Sequence, residues 1–186
     1  MKHYNRLTHW DLYLTLEDDL KKVARYVEFD RRNGAVFSIE LSRILQIASS
    51  ENDVVLRLLC GRLNAVDTSG TMDEYRAEIM RSWPSMADEK VFAPGHDLTL
   101  MPWKRWKQNE NPNWWRAYNK IKHERERYFT RANLRNALQS VAALLVSISY
   151  FYLIDATMTM DVHLFRDVLR ELKNESGVFR LNAAYY

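Results

Sequence analysis

Apolar residues along most of this chain recur three and four positions apart. This spacing places them on one side of an α-helix, whereas a half-buried strand would alternate at every second residue. Residues 1–14 lack the pattern and are predicted to be irregular or extended. Glycine and proline are scarce, at five and four residues, which also favours helices over a many-turned β fold. The pattern predicts six helices, at residues 15–28, 36–65, 71–83, 113–127, 130–155 and 161–173.

Local signals mark where several of these helices begin. Thr15 is the predicted N-cap of the first helix, because a threonine hydroxyl can accept a hydrogen bond from a free backbone N–H of the first turn. The segment Thr71–Glu74 has the spacing of a capping box, in which each end residue satisfies a backbone N–H of the other. Asn113 is the predicted N-cap of the fourth helix, and Thr130 with Asn133 marks the start of the fifth.

Residues 85–112 interrupt the helical pattern and contain three of the four prolines. Within them, Leu98–Met101 can form one short strand at an edge or in a hairpin. His96 stands alone in this loop and is expected to be exposed without a partner. We therefore predict a single domain over residues 1–186. Its fold is an all-α, up-and-down helical bundle with a loop-rich insertion at residues 85–112 and at most one short β-hairpin.

The composition is that of a soluble globular protein, with 47% hydrophobic and 27% charged residues. Cys60, the one cysteine, lies in an apolar run and is expected to be a buried structural thiol rather than a nucleophile. The apolar run Val141–Ile154 is too short to span a bilayer, so we expect a buried core helix there. No signal peptide is recognisable at the start of the sequence. We expect a cytoplasmic protein without a membrane partner.

The net charge of +3 conceals a basic segment. Between Trp103 and Arg135 there are ten lysines or arginines and three acidic residues, and four of the six tryptophans lie in the same stretch. Cations interleaved with flat rings are typical of sites for single-stranded nucleic acid. The more ordinary alternative is that the rings belong to the core and the cations to a solvated face. Composition alone leaves both interpretations open.

The predicted helix at residues 113–127 separates its polar and apolar residues sharply. At about 100° per residue, Arg116, Asn119, His123 and Arg127 share one narrow stripe. The opposite side carries Trp114, Tyr118, Ile121, Arg125 and Tyr128. The apolar side can face a core, so the stripe is expected to face water, a cleft or another subunit.

The residue types in this stripe suit chemistry at a phosphate. Arg116 offers a permanently charged fork of donors that can stabilise a pentavalent phosphorane. Histidine has an ordinary pKa near neutrality, so His123 can take a proton from a ribose 2′-hydroxyl or give one to the leaving oxygen. Asn119 can orient either group, and we expect the three to converge on one phosphate. No metal is needed for that reaction. The alternative is a solvated face with Lys120/Glu124 and Lys122/Glu126 ion pairs.

Two glutamates, Glu40 and Glu51, are nearly aligned on the polar side of the predicted second helix because they lie eleven residues apart. Paired carboxylates can serve acid/base or metal chemistry. They are more often solvated or salt-bridged, and no cluster of His, Asp or Cys lies near them in sequence to complete a metal site. Their role stays open at this point.

Arg116 and His123 are separated by six residues on the penultimate long helix of the predicted bundle. This spacing resembles the motif of the HEPN superfamily, in which an arginine is followed after four to six residues by a histidine. The pattern Trp-Trp-x-x-Tyr-Asn-x-Ile-Lys-His-x-Arg, at residues 114–125, resembles a signature of uncharacterised bacterial HEPN-like proteins. Residues 38–45 and 48–55 look similar to the same group, so the resemblance covers residues 35–155.

The resemblance implies an HEPN-like helical domain that acts as a metal-independent RNA endonuclease without a cofactor. Such proteins are commonly homodimers in which two motif helices face each other across a composite site. They act in toxin–antitoxin and anti-phage systems, so the expected partners are RNA and a cognate antitoxin or other defence-system protein. Cleavage would leave a 2′,3′-cyclic phosphate and a 5′-hydroxyl. This chain departs from the pattern in its long spacing and in Ala117, where many members have a polar residue.

Carried over to this chain, the motif makes Arg116, Asn119 and His123 the expected catalytic residues. His123 would act as general base or acid, Arg116 would stabilise the transition state and Asn119 would orient them. The residues expected to bind the RNA backbone are Lys120, Lys122, Arg125 and Arg127.

The rival hypothesis is a catalytically inactive helical module that dimerises or docks a partner through the same surface. In that case Arg116, Asn119 and His123 form a hydrogen-bonded structural network. An exposed His123 in an open basic cleft favours the nuclease. A closed interface, with His123 satisfied by glutamate or backbone partners, favours the module.

Overall fold

A computed structural model describes residues 4–64, 70–158 and 176–181 of the chain. The predicted all-α fold with one short β-hairpin is confirmed: the described residues form six α-helices and one two-stranded antiparallel sheet. The helices are α1 (Tyr4–Ala24), α2 (Ile39–Asn64), α3 (Met72–Ser82), α4 (Asn113–His123), α5 (Arg125–Tyr128) and α6 (Leu134–Met158). The strands are β1 (Val91–Ala93) and β2 (Leu98–Leu100). The predicted helix at residues 161–173 lies outside the described residues.

The core of the bundle forms where α6 packs along α2, its most extensive contact with another helix. Among the described residues, Leu134–Ile154 is the one helical stretch that could cross a membrane by length and composition: it is 21 residues long, and its most apolar window of 18 residues has a mean hydropathy of 1.8. The apolar stretch is therefore longer than the sequence run predicted. Because 89% of its most apolar window is buried inside the molecule, it has the character of the core helix of a soluble protein.

A buried asparagine joins these two core helices. The Asn52 side-chain amide donates to the Ala48 carbonyl at 2.8 Å and to the Ser140 carbonyl at 3.0 Å, and its oxygen accepts from the Ser147 hydroxyl at 2.9 Å. Asn52 and both serines are fully buried. Each polar group of the amide therefore has a partner, as a buried amide requires.

Replacing this asparagine is expected to destabilise the bundle. Asn52→Ala removes three hydrogen bonds and leaves a void between α2 and α6, so we expect the free energy of unfolding to fall by about 2 kcal/mol. Denaturant unfolding followed by circular dichroism measures this loss. Ser50→Ala, on the exposed side of the same helix, is the control and should change stability little. Equal stability of the two variants would contradict the role given to Asn52.

The prediction that residues 1–14 are irregular or extended and that Thr15 caps the first helix is wrong. Helix α1 begins at Tyr4, so Thr15 lies inside it and its hydroxyl donates to the Asp11 carbonyl at 2.9 Å instead of capping. The buried side of α1 includes Trp10 and Tyr13, and aromatic residues with polar ends had hidden the helical spacing. The helix ends at Ala24, four residues before the predicted end.

Of the other predicted helix boundaries, the start of α3 and the Asn133 cap of α6 are confirmed, whereas the start of α2 and the end of α6 differ. The capping box of α3 is confirmed: the Thr71 hydroxyl accepts from the Glu74 N–H, and the Glu74 carboxylate accepts from the Thr71 N–H at 3.0 Å. Asn133 caps α6 by accepting from the Asn136 N–H at 3.0 Å. Helix α2 begins at Ile39 rather than at residue 36. Helix α6 continues to Met158, past the predicted break at residues 156–157.

The irregular segment at residues 85–112 contains the predicted strand as β2, which pairs with β1. The other edge of β1 is covered by the C-terminal segment, because Phe92 and Arg180 exchange two backbone hydrogen bonds of 2.8 Å. The prediction that His96 lacks a partner is wrong. Its Nδ1 lies 3.0 Å from Glu28 Oε1, and its ring packs on Phe29 at a centroid distance of 4.6 Å.

Cys60 is fully buried, as predicted. Burial, with a smaller contribution from the charge of Glu78, raises the pKa of this thiol to about 12. Because the thiolate is the reactive form, Cys60 is a structural residue.

Candidate active site on helix α4

Helix α4 follows Pro112, whose backbone forms the N-cap and provides no side-chain capping bond. The predicted cap, Asn113, is the first helical residue instead. Trp114, Ala117 and Ile121 are buried and fix this side of the helix against the core. The Trp114 indole N–H donates to the Pro102 carbonyl at 3.2 Å, which ties α4 to the irregular segment before it.

The predicted continuous helix over residues 113–127 is wrong, because it breaks at Glu124. This residue has φ −138° and ψ 61°, outside the helical region, and His123 is the last residue of α4. After the break, Tyr128 and Phe129 pack against the core. Tertiary packing therefore overrides the helical preference of the charged run. Arg127 belongs to α5 and does not extend the stripe of α4.

The remaining members of the stripe lie on the side of α4 that faces away from the core. Arg116 and His123 are exposed, and Asn119 is half-buried. In the part of the chain that the structure describes, neither the Asn119 amide nor the His123 imidazole has a hydrogen-bond or ion-pair partner. His123 is thus accessible and not part of a satisfied internal network. The exposure of His123 is one part of the arrangement expected for the nuclease; the other part, an open basic cleft around it, stays a prediction.

Arg116 and His123 do not converge within one chain. Their Cα atoms are about 10 Å apart along the helix axis, at 1.5 Å per residue. The Arg116 Nη2 atom lies 3.4 Å from Glu110 Oε2, and Glu110 precedes the helix. The guanidinium therefore points towards the N-terminal end of α4, as helical side chains generally lean, whereas His123 is at the C-terminal end.

Glu110 holds two arginines at once, because the same Oε2 atom also pairs with Arg105. All three side chains are partly exposed, so solvent screens these pairs and each is weak. If RNA binds here as the sequence predicts, its negatively charged phosphates would compete with Glu110 for the guanidinium of Arg116.

This competition gives a testable prediction. Glu110→Gln keeps an oxygen that can orient Arg116 but removes the negative charge, so RNA affinity is expected to rise a few-fold at low salt. Titration of labelled single-stranded RNA at two salt concentrations measures the change. Glu126→Gln, a comparable exposed acid on α5, is the control for charge alone. Unchanged or weaker RNA binding by Glu110→Gln would contradict the competition.

The four residues expected to bind RNA divide between two surroundings. Lys120 Nζ lies 4.6 Å from the centre of the Tyr128 ring, and the guanidinium carbon of Arg127 lies 5.2 Å from it. Arg131 also approaches this ring, at 5.3 Å. A group of three cations therefore surrounds Tyr128. Glu124 pairs with Arg127 at 3.4 Å rather than with Lys120.

Lys122 and Arg125 lie towards α2 instead. The Lys122 Nζ is 5.7 Å from the centre of the Tyr118 ring, and Arg125 donates to the Gln46 side chain at 3.2 Å. Lys122 also lines an open cavity of 460 Å³ with Glu51. The predicted RNA-binding residues thus do not form one continuous row.

Three of the four tryptophans in the basic segment belong to the core. Trp103, Trp106 and Trp114 are at most 2% exposed, and their rings pack at centroid distances of 4.1 and 5.2 Å. Trp115 is half-buried against Tyr118. The more ordinary interpretation of these tryptophans is confirmed for the buried three, which are not available for base stacking.

Glu40 and Glu51 have separate partners. Glu40 pairs with Arg43, at 3.1 Å from its Nε, and Glu51 pairs with His9. Sequence analysis missed the His9–Glu51 pair, because its members are 42 residues apart and His9 lay in a segment predicted to be irregular. Within the described ranges, no group of three or more His, Cys, Asp or Glu residues could hold a metal ion.

Comparison with models of known protein families, with curated proteins and with solved structures finds no match. The resemblance to the HEPN superfamily therefore rests on the motif residues in α4 and the two upstream stretches.

Proposed function

We propose that this chain is a metal-independent RNA endonuclease of the HEPN type, with its active site on the exposed side of α4. The observation that carries the proposal is the state of His123. It is exposed, has no polar partner among the described residues, and shares its side of the helix with Arg116 and Asn119. A histidine without internal partners is free to exchange a proton with a substrate.

In the proposed reaction, the ribose 2′-oxygen attacks the adjacent phosphorus and its proton passes to His123. The bond from phosphorus to the 2′-oxygen forms, and the bond to the 5′-oxygen breaks. The leaving 5′-oxygen takes a proton, so the products are a 2′,3′-cyclic phosphate and a 5′-hydroxyl. Arg116 neutralises the charge that develops on the phosphorane, and Asn119 orients the reacting groups.

A homodimer completes this site. One histidine cannot both remove and supply a proton in the same step, and Arg116 lies about 10 Å from His123 on its own helix. If two α4 helices pack antiparallel with their crossing near Asn119, Arg116 of each copy lies close to His123 of the other. Two histidines and two arginines then surround one phosphate, with one histidine as base and the other as acid.

The cations around Tyr128 are suited to hold the RNA backbone beside this site. Lys120, Arg127 and Arg131 are exposed and lie close together around one ring. Their contribution is sequence-independent and weakens with salt. Lys122 and Arg125 add positive electrostatic potential on the side of α4 that faces α2, which also attracts the RNA backbone. A role in toxin–antitoxin or anti-phage defence, with an antitoxin or defence partner, is proposed from the resemblance alone.

The chemistry is tested by incubating the purified chain with single-stranded RNA in the presence of EDTA and analysing the product ends. We expect cleavage that leaves 2′,3′-cyclic phosphates and 5′-hydroxyls. Products that carry 5′-phosphates, or cleavage that appears only with added Mg²⁺, would overturn the proposed mechanism.

The second candidate is a non-catalytic module that binds a partner through the same side of α4. The ion pair between Arg116 and Glu110 favours it, because this arginine already has a partner within the chain. The module predicts no RNA cleavage under any condition, together with loss of the dimer when His123 is replaced. RNA cleavage by the unmodified chain, measured together with sedimentation of His123→Ala, therefore separates the two functions.

A further inference from the structure

A second candidate site lies away from α4, where the first two turns of α6 meet β2 and the turn at residues 30–34. The cavity there has a volume of 380 Å³. This is at the small end of the range of about 300–1,000 Å³ that is typical of sites for small molecules. Its apolar wall consists of Leu98, Leu100, Leu134 and Leu138.

Two arginines stand at the rim of this cavity, Arg31 and Arg135. Both are exposed, and neither side chain forms an ion pair with another described residue. The one acidic residue of the lining, Asp30, is already engaged. Its carboxylate accepts from the backbone N–H, the Nε and the Nη2 of Arg32, at 2.8, 2.9 and 3.0 Å. With one carboxylate and two guanidiniums among its lining residues, the cavity has a net positive charge.

The backbone at Gly34 brings Arg135 into this position. The Arg135 backbone N–H donates to the Gly34 carbonyl at 3.2 Å. A Cβ atom at Gly34 would lie 3.2 Å from both Nε and Nη2 of Arg135 and 3.1 Å from the Arg31 carbonyl. The absence of a side chain therefore lets the guanidinium lie against the turn that carries Arg31. The Arg135 guanidinium therefore lies beside the backbone of Arg31, and both residues line the cavity.

A neighbouring cavity also has charged residues in its lining, but these residues pair with one another. Between α1 and the start of α2 lies a cavity of 520 Å³ whose charged residues are mutually paired. Asp19 binds both Lys22 and Arg43, and Arg43 also binds Glu40. The two acidic and two basic side chains of that lining balance, so the cavity has no excess charge to attract an anion. Within the part of the chain that the structure describes, the side chains of Arg31 and Arg135 have no ion-pair partner, and they lie beside an apolar wall.

We propose that the cavity between α6 and β2 binds a small organic anion. A carboxylate or phosphate group of the ligand pairs with the guanidiniums of Arg31 and Arg135, which can each donate two parallel hydrogen bonds. The aliphatic or aromatic body of the ligand lies against the four leucines. None of these residues takes part in the proposed RNA cleavage, so each proposal can fail without the other.

Calorimetric titration of the full chain tests the site with three probes of equal chain length: octanoate, octyl phosphate and octan-1-ol. We expect one equivalent of either anion to bind and the neutral alcohol to bind at least tenfold more weakly. Binding of one anion and not the other would identify the headgroup. Absence of binding by both anions, or equal binding of the alcohol, would overturn the proposal.

Three variants locate the binding. The double variant Arg31→Gln, Arg135→Gln should weaken binding of the anions at least tenfold without lowering the melting temperature, because both side chains are exposed. Thr99→Trp, at an exposed position of the cavity lining, should block the probes by filling the space. Arg25→Gln removes an exposed arginine elsewhere and should leave binding unchanged. Undiminished binding by the double variant would overturn the assignment, as would equal loss in Arg25→Gln.

Discussion

His123→Ala and Arg116→Ala are each expected to lower the rate of RNA cleavage by at least about a hundredfold. Loss of a group that transfers a proton in the transition state costs about 10²–10⁴ in rate, and loss of a group that stabilises developing charge costs about 10²–10³. Single-turnover cleavage of an end-labelled RNA measures both effects. Because both side chains are exposed, the circular dichroism spectrum and the melting temperature should match those of the unmodified chain.

Matched controls come from elsewhere in the chain. His96→Ala removes a histidine that pairs with Glu28, and Arg25→Ala removes an exposed arginine in the turn that follows α1. Both should retain full cleavage. If both His123→Ala and Arg116→Ala cleaved RNA at the original rate, the proposed catalytic role of α4 would be wrong.

The second large effect is expected at Glu17, a fully buried carboxylate on α1. It accepts hydrogen bonds from the backbone N–H groups of residues 177–179, at 2.8, 3.1 and 2.9 Å. The hydroxyls of Tyr13 and Ser176 donate to it as well, at 2.7 and 2.8 Å. One side chain therefore fastens the C-terminal segment, which in turn covers the edge of β1 through Arg180.

Glu17→Gln is expected to lower the free energy of unfolding by about 3 kcal/mol. The amide NH₂ cannot accept a hydrogen bond, so it leaves buried backbone donors without a partner and adds donors of its own. For a domain of this size, the melting temperature should fall by roughly 6–12 °C. Thermal unfolding followed by circular dichroism measures the shift.

Asp18→Ala is the control for this substitution. Asp18 is the next residue on α1, is exposed, and pairs with Lys21 at 2.8 Å. An exposed pair of this kind contributes little, so its loss should cost less than about 1 kcal/mol. Similar melting temperatures for Glu17→Gln and Asp18→Ala would show that the buried carboxylate does not fasten the C-terminal segment.

Much of this fold is encoded locally and could be predicted from the sequence. The periodic apolar positions give α2, α3 and α6, because burial of one side of a helix repeats with the helical period. The capping box at Thr71 and the cap at Asn133 depend on residues three positions apart, so the sequence displays them directly. The same periodicity predicted that Arg116 and His123 face away from the core.

The features of the structure that could not be predicted from the sequence depend on contacts between residues far apart in the chain. The break at Glu124 follows from how Tyr128 and Phe129 pack against the core, which no local preference encodes. The binding of Glu17 to residues 177–179 joins the two ends of the chain. The pairing of Arg116 with Glu110 was also not visible, and it directs the guanidinium towards the N-terminal end of α4, away from His123.

The most direct test of the proposed function is chemical rescue of His123→Ala by imidazole in a single-turnover RNA cleavage assay. If His123 transfers the proton, free imidazole entering the exposed space left by the side chain should restore part of the lost rate. The same concentration should leave Arg116→Ala inactive, because imidazole cannot replace a guanidinium. Cleavage by His123→Ala at the original rate without imidazole would contradict the account.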